Sequence, residues 1–213
     1  MSRKKLSLLK SLIKFTVVIV TLLFVSCREA APLPVYGERD FNEEGDTVFH
    51  TIPSFTFSNQ YDKEVSSELY TGKIYIADFF FTTCPGICPI MTSELTRVQQ
   101  ELQGLVEEVL ILSHTVDPES DTTAALLAYG KMKGADFSTW NFVTGTKRKL
   151  YDMAESYLVV ANHNPGEEME FVHSDKLVLI DKEGRIRGLY SGIETREVDQ
   201  LIRDVKILIK EYE

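Results

Sequence analysis

The sequence predicts an α/β layered domain, and three observations carry that prediction. Strand-like and helix-like segments alternate from residue 73 onward. The first strong strand, residues 73–81, is apolar on both faces, as a strand buried between two layers should be. The chain then closes with strand, tight turn, strand and amphipathic helix, so the central sheet is mixed and flanked by helices.

Each element has its own warrant. Residues 55–61 alternate and read as a strand entering a small hairpin, an N-terminal extension of the sheet. Met91, Leu95, Val98, Leu102 and Leu105 recur at helical spacing after Pro89 and mark one face of a helix. Residues 109–116 form a second buried strand. Asp117-Pro118 breaks it, and Asp121 is placed to cap a helix running to about Lys133. Residues 140–143 are a short strand and 147–157 a helix. Residues 176–180 and 185–190 are strands joined by Asp181-Lys-Glu-Gly184, with glycine where a positive φ is needed. A final helix over 195–210 turns Val198, Leu201, Ile202, Val205 and Leu208 inward. Right-handed crossovers place residues 73–81 in the middle of the sheet. Functional loops gather at the carboxyl end of such strands, and here that end leads into Thr82-Thr-Cys-Pro-Gly-Ile-Cys-Pro89.

The chain has 213 residues, which suits one domain plus a short appendage. Its net charge of -9 argues against affinity for nucleic acid. Three cysteines are too few for a disulfide-stapled scaffold. The charge is uneven. Residues 1–26 carry five basic side chains and no acidic one; the remainder therefore holds 23 − 5 = 18 basic against 32 acidic residues, a net of -14. The apolar run at 15–25 has 11 residues. That is short of the roughly 20 a membrane span needs and within the roughly 7–15 of a signal-peptide core. Ser26 and Cys27 follow. The order resembles a bacterial lipoprotein signal, with residues 1–26 removed and Cys27 lipidated. The alternative is an uncleaved anchor starting near Leu6, interrupted by Lys10 and Lys14. Both readings export the body and tether it to a membrane of the bacterial envelope. Residues 27–50, with Pro32, Pro34, Gly37 and Gly45 and no periodicity, read as a tether, leaving 51–213 as the folded domain.

Chemistry concentrates at Cys84 and Cys88, which straddle the start of a helix. Free N–H groups and the helix dipole there favour thiolates. A structural disulfide is the plain alternative, but one closing so short a loop gains little from unfolded-state entropy. The pair is otherwise a redox couple or a soft-metal site, and thiolates select Cu(I). A third ligand would come from the four histidines. His50 falls in the tether and reads as solvated. His114, inside an apolar strand, reads as a hydrogen-bonded core residue. His163 lies in a polar loop. His173 alone would be a surface-loop residue, but it precedes the strand expected beside the cysteine strand, which makes it the best candidate.

Several separate motifs in order resemble the Sco/SenC family: residues 79–89 with CPGICP, 114–122 (HTVDPESDT), 140–145 (WNFVTG), and 172–174 (VHS) before the hairpin. The resemblance implies a thioredoxin-like fold. It implies copper, as Cu(I) or Cu(II), bound by Cys84, Cys88 and His173. It also implies a role in building the binuclear copper site of cytochrome c oxidase, with that copper-site subunit or another exported copper or thiol protein as partner. Three positions depart from the family pattern: Gly86 replaces the usual Asp, Thr83 stands where His is common, and residues 78–81 read Asp-Phe-Phe-Phe. Asp78 precedes Cys84 by six residues, the offset of the buried Asp of thioredoxins, which assists proton transfer. A strand-end carboxylate bonded to backbone is its alternative. Asp78 supports a second function, a thiol–disulfide oxidoreductase with Cys84 and Cys88 as its redox pair, acting on partner cysteines. A peroxiredoxin-type peroxidase fits less well, because Phe81 occupies the place of its expected Thr.

Overall fold

Alternating burial along one strand sets the arrangement. All seven residues of Ile74–Phe80 are buried, and successive side chains point to opposite faces. Ile74, Ile76 and Phe80 enter one core, while Tyr75, Ala77 and Phe79 enter another. The computed structural model describes residues 31–105, 108–159 and 174–213. The expected signal segment, Cys27, His163 and His173 lie outside the described residues.

The strands are β1 (Arg39–Phe41), β2 (Thr47–Phe49), β3 (Thr56–Asn59), β4 (Glu64–Ser66), β5 (Ile74–Phe80), β6 (Val109–Thr115), β7 (Trp140–Thr144), β8 (Lys176–Ile180) and β9 (Ile186–Ser191). The α-helices are α1 (Cys88–Glu101), α2 (Thr123–Lys133), α3 (Lys147–Ser156) and α4 (Thr195–Lys210). Seven strands form one sheet in the order β4-β3-β7-β6-β5-β8-β9. β5, β6 and β7 are parallel; β3 and β8 join them antiparallel. The sheet is therefore mixed, as expected. β5 lies inside it, between β6 and β8, and its carboxyl end opens onto the cysteine loop.

One face of the sheet is covered by α1, α2 and α4, through Met91, Leu95, Val98, Leu126, Tyr129, Val198, Leu201 and Val205. The other is covered by α3, through Leu150, Tyr151 and Met153, together with Phe55, Phe57 and Tyr70. Burying each such large apolar side chain contributes about 1.5–3 kcal/mol, so the helical periodicities read from sequence decide which face each helix occupies. The β8–β9 turn closes as expected: Asp181 N donates to Arg185 O at 3.0 Å, and Gly184 sits at φ 76°.

Three expectations change. Asp121 does not cap α2. Thr122 is the N-cap, accepting from Ala125 N at 3.2 Å, and Asp121 turns inward to bond Thr82 and Thr115. The compact unit begins at Pro32, so much of the segment expected as tether is held to the body. It carries the β1–β2 hairpin, Tyr36 N donates to Ile186 O at 2.9 Å, and Arg187 binds the carbonyls of Leu33 and Pro34 at 2.7 and 3.0 Å. His50 is half-buried and its Nε2 bonds Ser156 O at 2.7 Å, so it is not a solvated tether residue. These segments lack periodicity because a few polar contacts hold them, not a buried face.

Candidate functional site

The cysteine loop follows from two local facts. β5 is pinned on both sides, so its exit is fixed. α1 starts at Cys88 with Pro89 in its first turn, where a missing N–H costs nothing. The N-cap, Ile87, offers no side-chain acceptor, which leaves the first N–H groups of the helix in need of a partner. The Cys84 sulfur supplies it, accepting from the backbone N–H groups of Gly86, Ile87 and Cys88. Cys84 N in turn donates to Phe81 O at 3.2 Å, closing the turn.

Both cysteines are unpaired and buried, at 8% and 4% exposure, yet they differ chemically. Burial raises the Cys84 thiol, but hydrogen bonds from the Cys88 thiol and from those backbone N–H groups outweigh it, and the group lies below the ordinary thiol range. Burial pushes Cys88 up to about 12. The bond it gives to Cys84 adds to this, as do the nearby charges of Cys84 and Asp78, and a backbone bond with Phe81 only partly offsets them. Cys84 is thus the thiolate-prone member and Cys88 the protonated donor.

Asp78 is buried at 1% exposure and raised from 3.8 to about 7, first by desolvation, with the Ser113 hydrogen bond pulling the other way. It is enclosed, as the thioredoxin-like offset implies for a buried Asp, and its charge acts on Cys88. Its strand position explains this, because it shares the Ile76 and Phe80 face that meets α1. Ser113 Oγ donates to Asp78 Oδ1 at 2.5 Å, and Trp140 Nε1 donates to Ser113 Oγ at 2.8 Å. Tyr129 stands on the same side. It shares a hydrogen bond with Thr92 at 2.9 Å and is pushed to about 12, first by burial and then, against that Thr92 bond, by the charges of Cys88, Asp78 and Cys84.

His114 is fully buried in the opposite core, stacked on Phe79 at 4.6 Å between ring centroids, with Nδ1 3.3 Å from Asp78 O. Burial lowers it to about 3, so it is the core histidine expected from its strand. Among the described residues, no group of three His, Cys, Asp or Glu is placed to hold a metal. β8 pairs with β5 antiparallel, Ala77 opposite Val178, so the chain entering β8 arrives at the end of the sheet that carries the cysteines. Gly192 N ties this entry down by donating to Asp175 O at 2.6 Å. A cavity of about 500 Å³ lies elsewhere, between residues 53–57, 66–68 and α3. Neither cysteine lines it, and paired thiols at a helix start are the stronger indication of chemistry.

Asp121 was missed as a site residue. The carboxyl group accepts from Thr82 N at 3.1 and 3.3 Å and from the hydroxyls of Thr82 and Thr115. Its place within HTVDPESDT was the available signal.

A family model described as SCO1/SenC matches residues 43–210. A structure of a SCO1/SenC family lipoprotein from Bacillus anthracis str. Ames superposes with TM-score 0.66 at 28% identity, over 75% of this chain and 95% of that one. BsSco, a member of the Sco family of cytochrome c oxidase assembly proteins in which a disulfide switch is identified, gives 0.64 at 32% identity over 75% and 93%. Arabidopsis thaliana ScoI with copper bound gives 0.60 at 26% identity over 75% and 98%. Among the described residues, no helix is long and apolar enough to cross a membrane.

Proposed function

This chain belongs to the SCO1/SenC family, and from that premise we propose that it is a membrane-tethered copper chaperone. It carries copper on Cys84, Cys88 and His173 and serves assembly of the copper site of cytochrome c oxidase or of another exported copper protein. The observation that carries this reading is the Cys84 sulfur seated on three backbone N–H groups with Cys88 donating to it. Such a pair is ready to become two thiolates when a soft cation replaces the shared proton. His173 is supported as the third ligand by its place in the VHS motif just before β8, and the two described imidazoles are engaged elsewhere: His50 bonds Ser156 O, and His114 is enclosed among aromatic rings. Lipidation of Cys27, supported by the short apolar run and Ser26, would hold the protein at the envelope membrane.

The test is a Cu(I) titration of the reduced full-length protein against a competing chelator, paired with Cu(II) followed by absorption. The wild type should saturate at one equivalent and show a thiolate charge-transfer band with Cu(II). Cys84→Ser and Cys88→Ser should abolish tight binding. His173→Ala should weaken Cu(II) most and alter the band. Wild-type behaviour of His173→Ala would remove the three-ligand assignment.

The asymmetry of the two thiols favours a second role, thiol–disulfide exchange. Cys84 thiolate would attack a partner disulfide, forming a mixed disulfide and releasing one partner thiolate. Cys88 would then pass its proton to Asp78 and attack the Cys84 sulfur, releasing the second partner thiolate and leaving a Cys84–Cys88 disulfide. Asp78→Asn should slow this second step about 10²-fold at neutral pH, read by stopped-flow exchange with a small disulfide, while leaving copper stoichiometry at one. An unchanged rate would leave Asp78 without a role in exchange.

A further inference from the structure

We propose that Asp121 is the positioning residue of the cysteine loop: it fastens Thr82 so that Cys84 meets the start of α1 where copper is held. The proposal rests on the copper reading and deepens it. Asp121 is fully buried, on the segment leaving β6, and its carboxyl group reaches across to the segment leaving β5. There it takes both donors of one residue, the Thr82 backbone N–H at 3.1 Å and the Thr82 hydroxyl. Its other anchor is the Thr115 hydroxyl at 2.5 Å.

The frame behind Asp121 is stiff. Asp121 N donates to Asp117 O at 2.9 Å, Asp117 N donates to Thr115 Oγ1 at 3.0 Å, and Val116 N donates to Phe80 O at 2.9 Å. The loop it holds lies between regular elements. Thr82 and Thr83 are outside β5 and before α1, and the turn closes through a bond from Cys84 N to Phe81 O. Two of the N–H groups that seat the Cys84 sulfur, those of Ile87 and Cys88, belong to the start of α1, and α1 is itself fixed by Met91, Leu95 and Val98 in the core. What brings the sulfur to those groups is therefore the placement of residues 81–84. Asp121 sets that placement from two residues away. A carboxylate suits the task because it offers lone pairs to an N–H and two hydroxyls together, which an amide oxygen alone does less well. Supporting groups of this kind typically alter metal affinity when removed, without touching the metal.

The experiment compares wild type, Asp121→Ala, Thr82→Val and Tyr190→Phe as full-length proteins. Tyr190→Phe also removes a hydroxyl from a buried carboxyl group, Asp204, but one away from the cysteine loop. Amide hydrogen exchange over residues 82–88 is measured on the copper-free proteins by mass spectrometry, and Cu(I) affinity by chelator competition. Asp121→Ala and Thr82→Val should speed exchange in that segment and weaken Cu(I) by about 10–100-fold. Tyr190→Phe should lower unfolding stability while leaving both readouts at wild-type values. Should Asp121→Ala fail to fold, Thr82→Val carries the test alone. Unchanged exchange and affinity in folded Thr82→Val would overturn the proposal, and so would an equal effect of Tyr190→Phe. A wild type that binds no Cu(I), with exchange still raised only in the two loop variants, would overturn the copper reading and leave the positioning role standing.

Discussion

Two ends of the same sheet bury aspartates in opposite ways. At the cysteine end, Asp78 and Asp121 are enclosed and meet hydroxyls: Ser113 for the first, Thr82 and Thr115 for the second. At the far end, Asp181 is equally buried but meets cations. Arg185 Nε donates to it at 2.8 Å and Arg187 Nη1 at 3.1 Å, with the backbone N–H groups of Glu183 and Arg185 at 3.0 and 2.8 Å. Arg187 then reaches Glu211 at 2.6 Å and the carbonyls of Leu33 and Pro34. The difference separates two uses of a buried carboxyl group. Paired with arginine, it cross-links the β8–β9 turn, the end of α4 and the N-terminal segment into one unit. Met by hydroxyls and, at Asp121, by a backbone N–H rather than by cations, it holds a loop in place or, as at Asp78, keeps a proton to exchange with a thiol.

The largest effect is expected where the ion pairs are. Arg187→Ala leaves Asp181 and Glu211 short of a donor and frees the segment at Leu33. Breaking a buried pair by removing one partner costs about 3–5 kcal/mol, read as a lower urea midpoint. Copper binding should stay at wild-type affinity, because the network lies at the other end of the sheet. A loss of stability under about 1 kcal/mol, the value of an exposed pair, would erase the distinction between the two ends.

Which parts of this were legible beforehand follows the same division. β5, β6 and β8 are written in the sequence as unbroken apolar runs, and α1 and α4 as apolar stripes, because burial of a face repeats with the period of the element. Residues 176–180 and 195–210 are found where they were expected. The cysteines are legible because few residue types can do soft-metal or redox chemistry. The polar cross-links are not. Asp121 and Arg187 each act through partners distant in the chain, and nothing periodic announces such a partner. Asp121 thus read as a cap, since an Asp before a helix usually is one. The segment at 33–50 read as a tether, although hydrogen bonds from Arg187 and to Ser156 hold it in place.

A smaller effect sharpens the comparison by pH. Asp78 and His114 are neighbours, since Nδ1 of the imidazole lies 3.3 Å from the Asp78 carbonyl, and both are driven neutral by burial. In the unfolded chain Asp78 would ionise above 3.8 and His114 would charge below 6.5; in the folded protein those changes wait until about 7 and about 3. Between pH 3.8 and 6.5 both states therefore hold one proton on this pair. The unfolded state carries it on the imidazole and the folded state on the carboxyl, so the pair contributes no slope to stability. Each single variant exposes the other group. With Asp78→Asn, the His114 contribution is fully present above pH 6.5 and is lost as pH falls toward 3, at about 1.4 kcal/mol per pH unit. With His114→Phe, stability is highest below pH 3.8 and declines by the same amount per unit as pH rises to about 7, because only the unfolded carboxyl ionises. Urea midpoints at pH 4.5, 5.5 and 6.5 should thus give the two variants slopes of opposite sign relative to the wild type. An Asp78→Asn profile parallel to that of the wild type would mean that Asp78 is ionised in the folded protein like an ordinary carboxylate, and the contrast with Asp181 would then rest on geometry alone.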